Sequence, residues 1–112
     1  MRIERANPDI AKGWYLGPWN AELTVSVGYA NEGVDEPHYH RRMTEIYCMA
    51  RGTAVMLVED EIVELHADDI IVVEPGENHT FVSSSPDHFH FVVQTPGLQG
   101  DEATADKVLT AE

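Results

Sequence analysis

Apolar and polar residues alternate along most of this chain, and the alternation has a period of two. In Glu22–Tyr29 the residues Leu23, Val25, Val27 and Tyr29 fall on one face, the signature of a half-buried strand. The same period, or a short apolar run between turn residues, returns in Ile46–Ala50, Ala54–Val58, Ile62–Leu65, Ile70–Val73, Thr80–Ser83 and Phe89–Gln94. Gly52-Thr53, Asp60-Glu61, His66–Asp69, Pro75-Gly76 and Ser83–Asp87 separate them. Turn signals recurring about every eight to twelve residues predict an all-β fold of antiparallel strands, a barrel or a sandwich. Ile46–Ala50 and Ala54–Val58 read as an antiparallel pair joined at Gly52.

The two ends break the pattern. Met1–Lys12 mixes charge with Asn7-Pro8, and Gly13–Asn20 (GWYLGPWN) crowds two glycines, a proline and two tryptophans together. Residues 1–20 therefore read as an arm whose second half is turn-rich and whose indoles need cover. Beyond Pro96-Gly97 the chain turns to acid and alanine, and 97–112 reads as a solvated tail with at most one short helix. Strands concentrate in a barrel core of about 22–96, with neither repeat nor linker to mark a second domain, so 1–112 is expected to be one domain.

Charge narrows the partners. The 112 residues carry 7 basic and 20 acidic side chains, a formal charge of −13, which disfavours nucleic acid and anionic membranes because both repel an acidic surface. Met1–Ile10 is too polar for a leader, and no apolar run approaches a membrane helix in length. Cys48 is the only cysteine, so no internal disulfide can form and a reducing cytoplasm is the expected compartment.

One constellation carries chemistry. His38 and His40 are one residue apart, which on a strand puts both imidazoles on one face. Glu45 follows five residues later, an odd step, so the strand must break within Arg41–Thr44 for the carboxylate to face them. His79, behind the Pro75-Gly76 turn, can arrive from a neighbouring strand. Three imidazoles and a carboxylate suit a divalent first-row metal such as Mn, Fe, Ni or Zn, with positions left for water or substrate.

Around this set, Tyr47 and Met49 share Glu45's face and are expected to line a cavity, while Cys48 lies opposite. His88 and His90 sit at the start of the last strand, His90 on the face of Val92 and Gln94. An outward, solvated pair is the simpler reading, with His90 and Gln94 lining a pocket as the alternative. Arg41 and Arg42 follow the histidine pair; most such arginines are solvated, but Arg41 at a barrel mouth could hold a carboxylate or phosphate. No phosphate loop, GxSxG elbow or CxxC pair is present.

The pattern His38-x-His40-x4-Glu45-x6-Gly52, followed by Gly76-x2-His79, resembles the two motifs of the cupin superfamily, small barrels of the germin and phosphomannose isomerase type. The likeness spans roughly 24–95; Asp68, Glu74 and Ser83 stand where the motif usually has glycine, proline and asparagine. It implies an antiparallel double-stranded β-helix, a jelly-roll-like barrel with the metal inside, and assembly as a homodimer. It also implies a small polar ligand or substrate. Metal-dependent isomerases or lyases, dioxygenases and non-catalytic binding or sensing modules all occur among cupins, and the fold does not choose among them.

Overall fold

The computed structural model describes residues 1–110. The chain runs β1 (Lys12–Leu16), β2 (Ser26–Ala30), β3 (His38–His40), β4 (Thr44–Arg51), β5 (Thr53–Val58), β6 (Glu61–His66), β7 (Ile70–Val73), β8 (His79–Ser84), β9 (Phe89–Thr95), α1 (Gly100–Asp106) and β10 (Lys107–Leu109). They form two five-stranded sheets, β1-β2-β9-β4-β7 and β10-β3-β8-β5-β6, paired antiparallel. Among these residues no helix is long and apolar enough to cross a membrane.

The period-two pattern explains which face goes in. On β4 burial alternates so that Glu45, Tyr47 and Met49 are covered. Their register partners on β9, in order Gln94, Val92 and His90, lie on the same face. Tyr47, Met49, Ala54, Met56, Leu65, Val73, Phe81 and Val92 make one cluster between the sheets, with Met56 fully buried. The inward row of β4 and β9 thus runs from the polar pair Glu45 and Gln94, where the candidate ligands gather, through Tyr47 and Val92 to Met49 and His90.

Four expectations are corrected. First, β4 and β5 are not paired: β4 lies between β9 and β7, and β5 lies between β8 and β6 in the other sheet. Gly52 turns the chain from sheet to sheet at φ +75°, where a side chain is strained. Second, Gly13–Leu16 is strand, since β1 pairs with β2 and closes that edge. Third, β2 begins only at Ser26 and Leu23 is exposed. Its inward residues are Ser26, Gly28 and Ala30, opposite Gln94, Val92 and His90, while Tyr29 faces the other way against Tyr15 and Phe89. These inward residues are small where the arm crosses them: a Cβ on Gly28 would stand 2.8 Å from the Trp14 ring. Fourth, the tail as far as residue 110 is not a solvated appendage, because β10 pairs with β3 and Asp106 is 2% exposed; residues 111–112 of that expectation lie outside the described residues.

The Gly52 corner is braced by side chains. Ser85 Oγ accepts the Thr53 N–H at 2.9 Å and donates to Asp87 Oδ1 at 2.7 Å. A Cβ on Gly52 would lie 2.3 Å from that Oγ, whereas at Gly76 (φ +86°) a Cβ would meet nothing within 4 Å. We therefore predict that Gly52→Ala costs about 1–3 kcal/mol in urea unfolding and Gly76→Ala clearly less, since both lose backbone ease but only the first collides. Equal costs would show that the braced corner carries no steric penalty.

Candidate metal centre

β3 delivers His38 and His40, and the Arg41–Met43 break lets β4 restart with Glu45 aimed back at them. His79 opens β8, directly opposite His38. One ligand atom from each of His38, His40, Glu45 and His79 falls within 4.8 Å of the others. Glu45 Oε1 is the hub: His79 Nε2 stands 2.8 Å away, His40 Nε2 3.0 Å and His38 Nε2 3.7 Å.

The far side of each ring fixes its proton. His38 Nδ1–H donates to the Glu36 carbonyl at 2.6 Å, His79 Nδ1–H to the Glu77 carbonyl at 2.9 Å, and His40 Nδ1–H to Asp106 Oδ2 at 3.0 Å. Carbonyl and carboxylate oxygens only accept, so the proton of each neutral imidazole sits on Nδ1 and the Nε2 lone pair points inward. Three lone pairs then face a carboxylate oxygen, an arrangement that could hold a cation among them. His40 Nε2 is buried and lacks an aligned hydrogen-bond partner despite its 3.0 Å approach to Glu45. Nitrogen and oxygen donors in this pattern fit a divalent transition metal.

Electrostatics point the same way. Burial opposes charge on Glu45, yet the His38, His40 and His79 rings outweigh it and hold the carboxyl well below its ordinary range. Burial likewise disfavours charge on His40, but Glu45 and Asp106 overcome it and raise the ring's pKa. Gln94 Nε2 donates to Glu45 Oε2 at 3.0 Å and the Tyr47 hydroxyl to Oε1 at 3.2 Å. Burial, then the adjoining Glu45 charge, pushes the Tyr47 phenol well up, so it remains a donor.

A cavity of about 290 Å³ opens over the cluster, and Tyr47, His90 and Gln94 line it with the four candidate ligands. The outward reading of His88 and His90 is overturned: they are 2% and 4% exposed, joined by a 2.7 Å bond between His88 Nε2 and His90 Nδ1. Phe81 stacks on His90 with centroids 4.8 Å apart. Two other pocket expectations fail. Met49 points inward but packs in the apolar cluster, beyond the cavity wall. Arg41 is exposed, with Nε donating to the Ala105 carbonyl at 3.3 Å, so it lies against the tail and not in the cavity wall.

Sequence reasoning missed Asp106, Lys12, Lys107 and Trp14. Asp106 lies 66 residues from His40, and besides that ring it accepts the Arg42 N–H at 2.7 Å. Lys12, Trp14 and Lys107 line the cavity from β1 and β10. No local periodicity signals any of them, because each reaches the site only through the pairing of β1 and β10 with distant strands.

The profile of the cupin domain family matches residues 25–94, and the chain belongs to that family. No curated protein matches it. Among solved structures it is similar to a Streptomyces Pac13 variant with uridine, at 16% identity over 97% of this chain and 84% of that one, TM-score 0.74. It is also similar to KdgF from Halomonas sp. (19% identity, 82% of each chain, TM-score 0.65). A Klebsiella pneumoniae protein with a double-stranded β-helix domain aligns at 21% identity over 98% of this chain and 91% of that one, TM-score 0.66. At such identities the likeness is one of fold, and it is the double-stranded β-helix.

Burial and the neighbouring His88, against the pull of Glu45, drive the His90 pKa from 6.5 down to about 3. Between those values the unfolded chain binds a proton that the folded one refuses. Stability from this group is therefore complete above 6.5 and lost as pH falls toward about 3. We predict that His90 stays neutral in an NMR titration down to about pH 4, and that His90→Gln flattens the acid limb of stability by close to one proton. Protonation of His90 near its ordinary value would contradict this.

Proposed function

We propose that this cupin holds one divalent metal (Mn, Fe, Ni or Zn) through the Nε2 atoms of His38, His40 and His79 and Oε1 of Glu45. We read it as a lyase or isomerase that moves a proton on a small polar molecule in the cavity. The carrying observation is the convergence of those ligand atoms within 4.8 Å, with all three Nδ1–H groups already engaged. When bound, the metal supplies a Lewis acid that polarises a substrate oxygen, and four protein ligands leave room for that oxygen beside them.

The chain's own residues supply orientation and the proton. Gln94 and Tyr47 pin Glu45 so that one oxygen faces the histidines. His88 Nε2 and His90 Nδ1 share a 2.7 Å bond, so the ring nitrogen that His90 has left for the cavity it lines is Nε2. A neutral, oriented imidazole is suited to moving a proton at that nitrogen, as general base or general acid according to which ring nitrogen carries the hydrogen. His90 is the observation that favours proton transfer over oxygen chemistry. Pac13, a structural neighbour, is described as a nucleoside dehydratase, and loss of water is a proton-transfer reaction of the same kind.

Metal analysis of tag-free protein is expected to find a divalent metal, and Asp106→Ala is expected to weaken it about 10–100-fold in chelator competition, as loss of an outer hydrogen bond does. Less than about a tenth occupancy, with no divalent ion raising the Tm of apoprotein, would sink the metal reading. Protein loaded with Fe(II), Mn(II) or Zn(II) would then be screened with carboxylates, thiols, diketones and sugar phosphates. Anaerobic turnover lost in His90→Gln is expected. Turnover requiring oxygen would favour a dioxygenase, and tight binding without turnover a sensor or binding module.

A homodimer belongs to this reading. Trp14 and Trp19, in edge contact at 5.9 Å, remain 49% and 45% exposed even with β1 folded on its own barrel, an apolar patch that a second copy can cover. Light scattering at micromolar concentration is expected to give two chains. A monomer with both indoles solvent-quenched would exclude it.

A further inference from the structure

Lysine is scarce in this chain: among its 112 residues it occurs only as Lys12 and Lys107. Both line the cavity, although they lie 95 residues apart in sequence. Lys12 comes from β1 and Lys107 from β10, so both stand outside residues 25–94, the part that matches the family profile. The arginines give the contrast, for none of Arg2, Arg5, Arg41, Arg42 and Arg51 lines the cavity. A protein of net charge −13 has thus brought two of its few cations to one opening.

Their surroundings differ. Lys107 Nζ pairs with Glu36, whose backbone carbonyl accepts the His38 Nδ1–H. That pair therefore ties the opening to a candidate ligand. Lys12 makes no ion pair among the described residues, but with Lys107 it helps hold the Glu36 carboxyl below its ordinary range. Charge then decides the ligand. Two lysines and a divalent ion, set against Glu32, Glu36 and Glu45 in the same wall, leave one uncompensated positive charge in a partly enclosed space. A single carboxylate neutralises it; a neutral molecule leaves it, and a phosphate dianion overshoots.

We propose that Lys12 and Lys107 form an anion-reading rim and that the molecule taken into the cavity is a small organic acid. Its carboxylate sits at the rim, and its reacting oxygen lies deeper, toward Glu45 and the histidines. This rests on the metal reading above and adds the ligand class. It also moves the anion-holding role from Arg41 to the two chain ends.

The test compares acids with their neutral amides: lactate with lactamide, and malate with malamide, each titrated into zinc-loaded and metal-free protein by calorimetry and thermal shift. In the zinc form the acids are expected to bind more tightly than the amides. Lys12→Met should cost about fivefold in acid affinity, of the order expected for one exposed charge, and leave amide binding and zinc content unchanged. Lys12→Arg, which restores the charge, should recover most of the loss. Lys107→Met should likewise weaken acids more than amides at matched zinc occupancy, which is measured because Lys107 pairs with Glu36 beside His38, with circular dichroism reporting whether β10 stays folded. Acids no better than amides, or a preference that survives Lys12→Met and Lys107→Met together, would overturn the rim while zinc binding stood. Absence of zinc binding is a separate result, which overturns the metal reading itself.

Discussion

Everything in this structure bears on one electrostatic problem: three imidazole lone pairs and a carboxylate held face to face, out of water. Left alone, such a group would turn its rings or spread apart. The protein prevents this from behind, by giving each Nδ1–H an acceptor of its own, so that turning any ring breaks a hydrogen bond that is buried or partly buried. Two of those acceptors are backbone carbonyls two residues before the histidine they hold, Glu36 before His38 and Glu77 before His79. The loop entering each strand thereby orients the strand's own ligand. The third is Asp106, and its position explains why the chain end is folded.

Asp106 does three things with one short segment. Its carboxylate receives His40 and the Arg42 N–H, and its carbonyl accepts the Arg41 N–H at 2.9 Å. The break in the strand between His40 and Glu45, without which Glu45 would face away, is thus capped by the chain end. β10 then adds to β3, a strand of only three residues that otherwise meets β8 at the single register pair His38↔His79. The arm plays the matching part on the other sheet: β1 extends β2, and Trp14 crosses Gly28 where a side chain would block it. The part of the barrel that matches the family profile, 25–94, is in this way finished by segments that lie outside it.

Much of this was legible in the residues. Alternation gave the strands from Ile46 to Gln94 nearly to their ends, and the odd step from His40 to Glu45 implied a break that is there. The inward row of Glu45 and Tyr47 followed from the period of a strand, because that period is local geometry. The hairpin expected about Gly52 failed because a glycine at positive φ says that the chain turns, without saying into which sheet. His88 and His90 were read as solvated because polarity alone argues for exposure; their mutual hydrogen bond and the Phe81 ring, which make burial tolerable, come from packing.

Sequence by itself therefore determined the all-β class, the strand positions and the four residues able to meet at one point, since each depends on neighbours within a few positions. Tertiary structure alone decided that Asp106 orients His40, that both lysines reach the cavity, that Met49 belongs to the core and that Arg41 stays outside. Each of these depends on where two distant segments come together in space. Pairings across 66 residues, such as His40 with Asp106, have no local period or turn to announce them; they exist only once the sheets have closed.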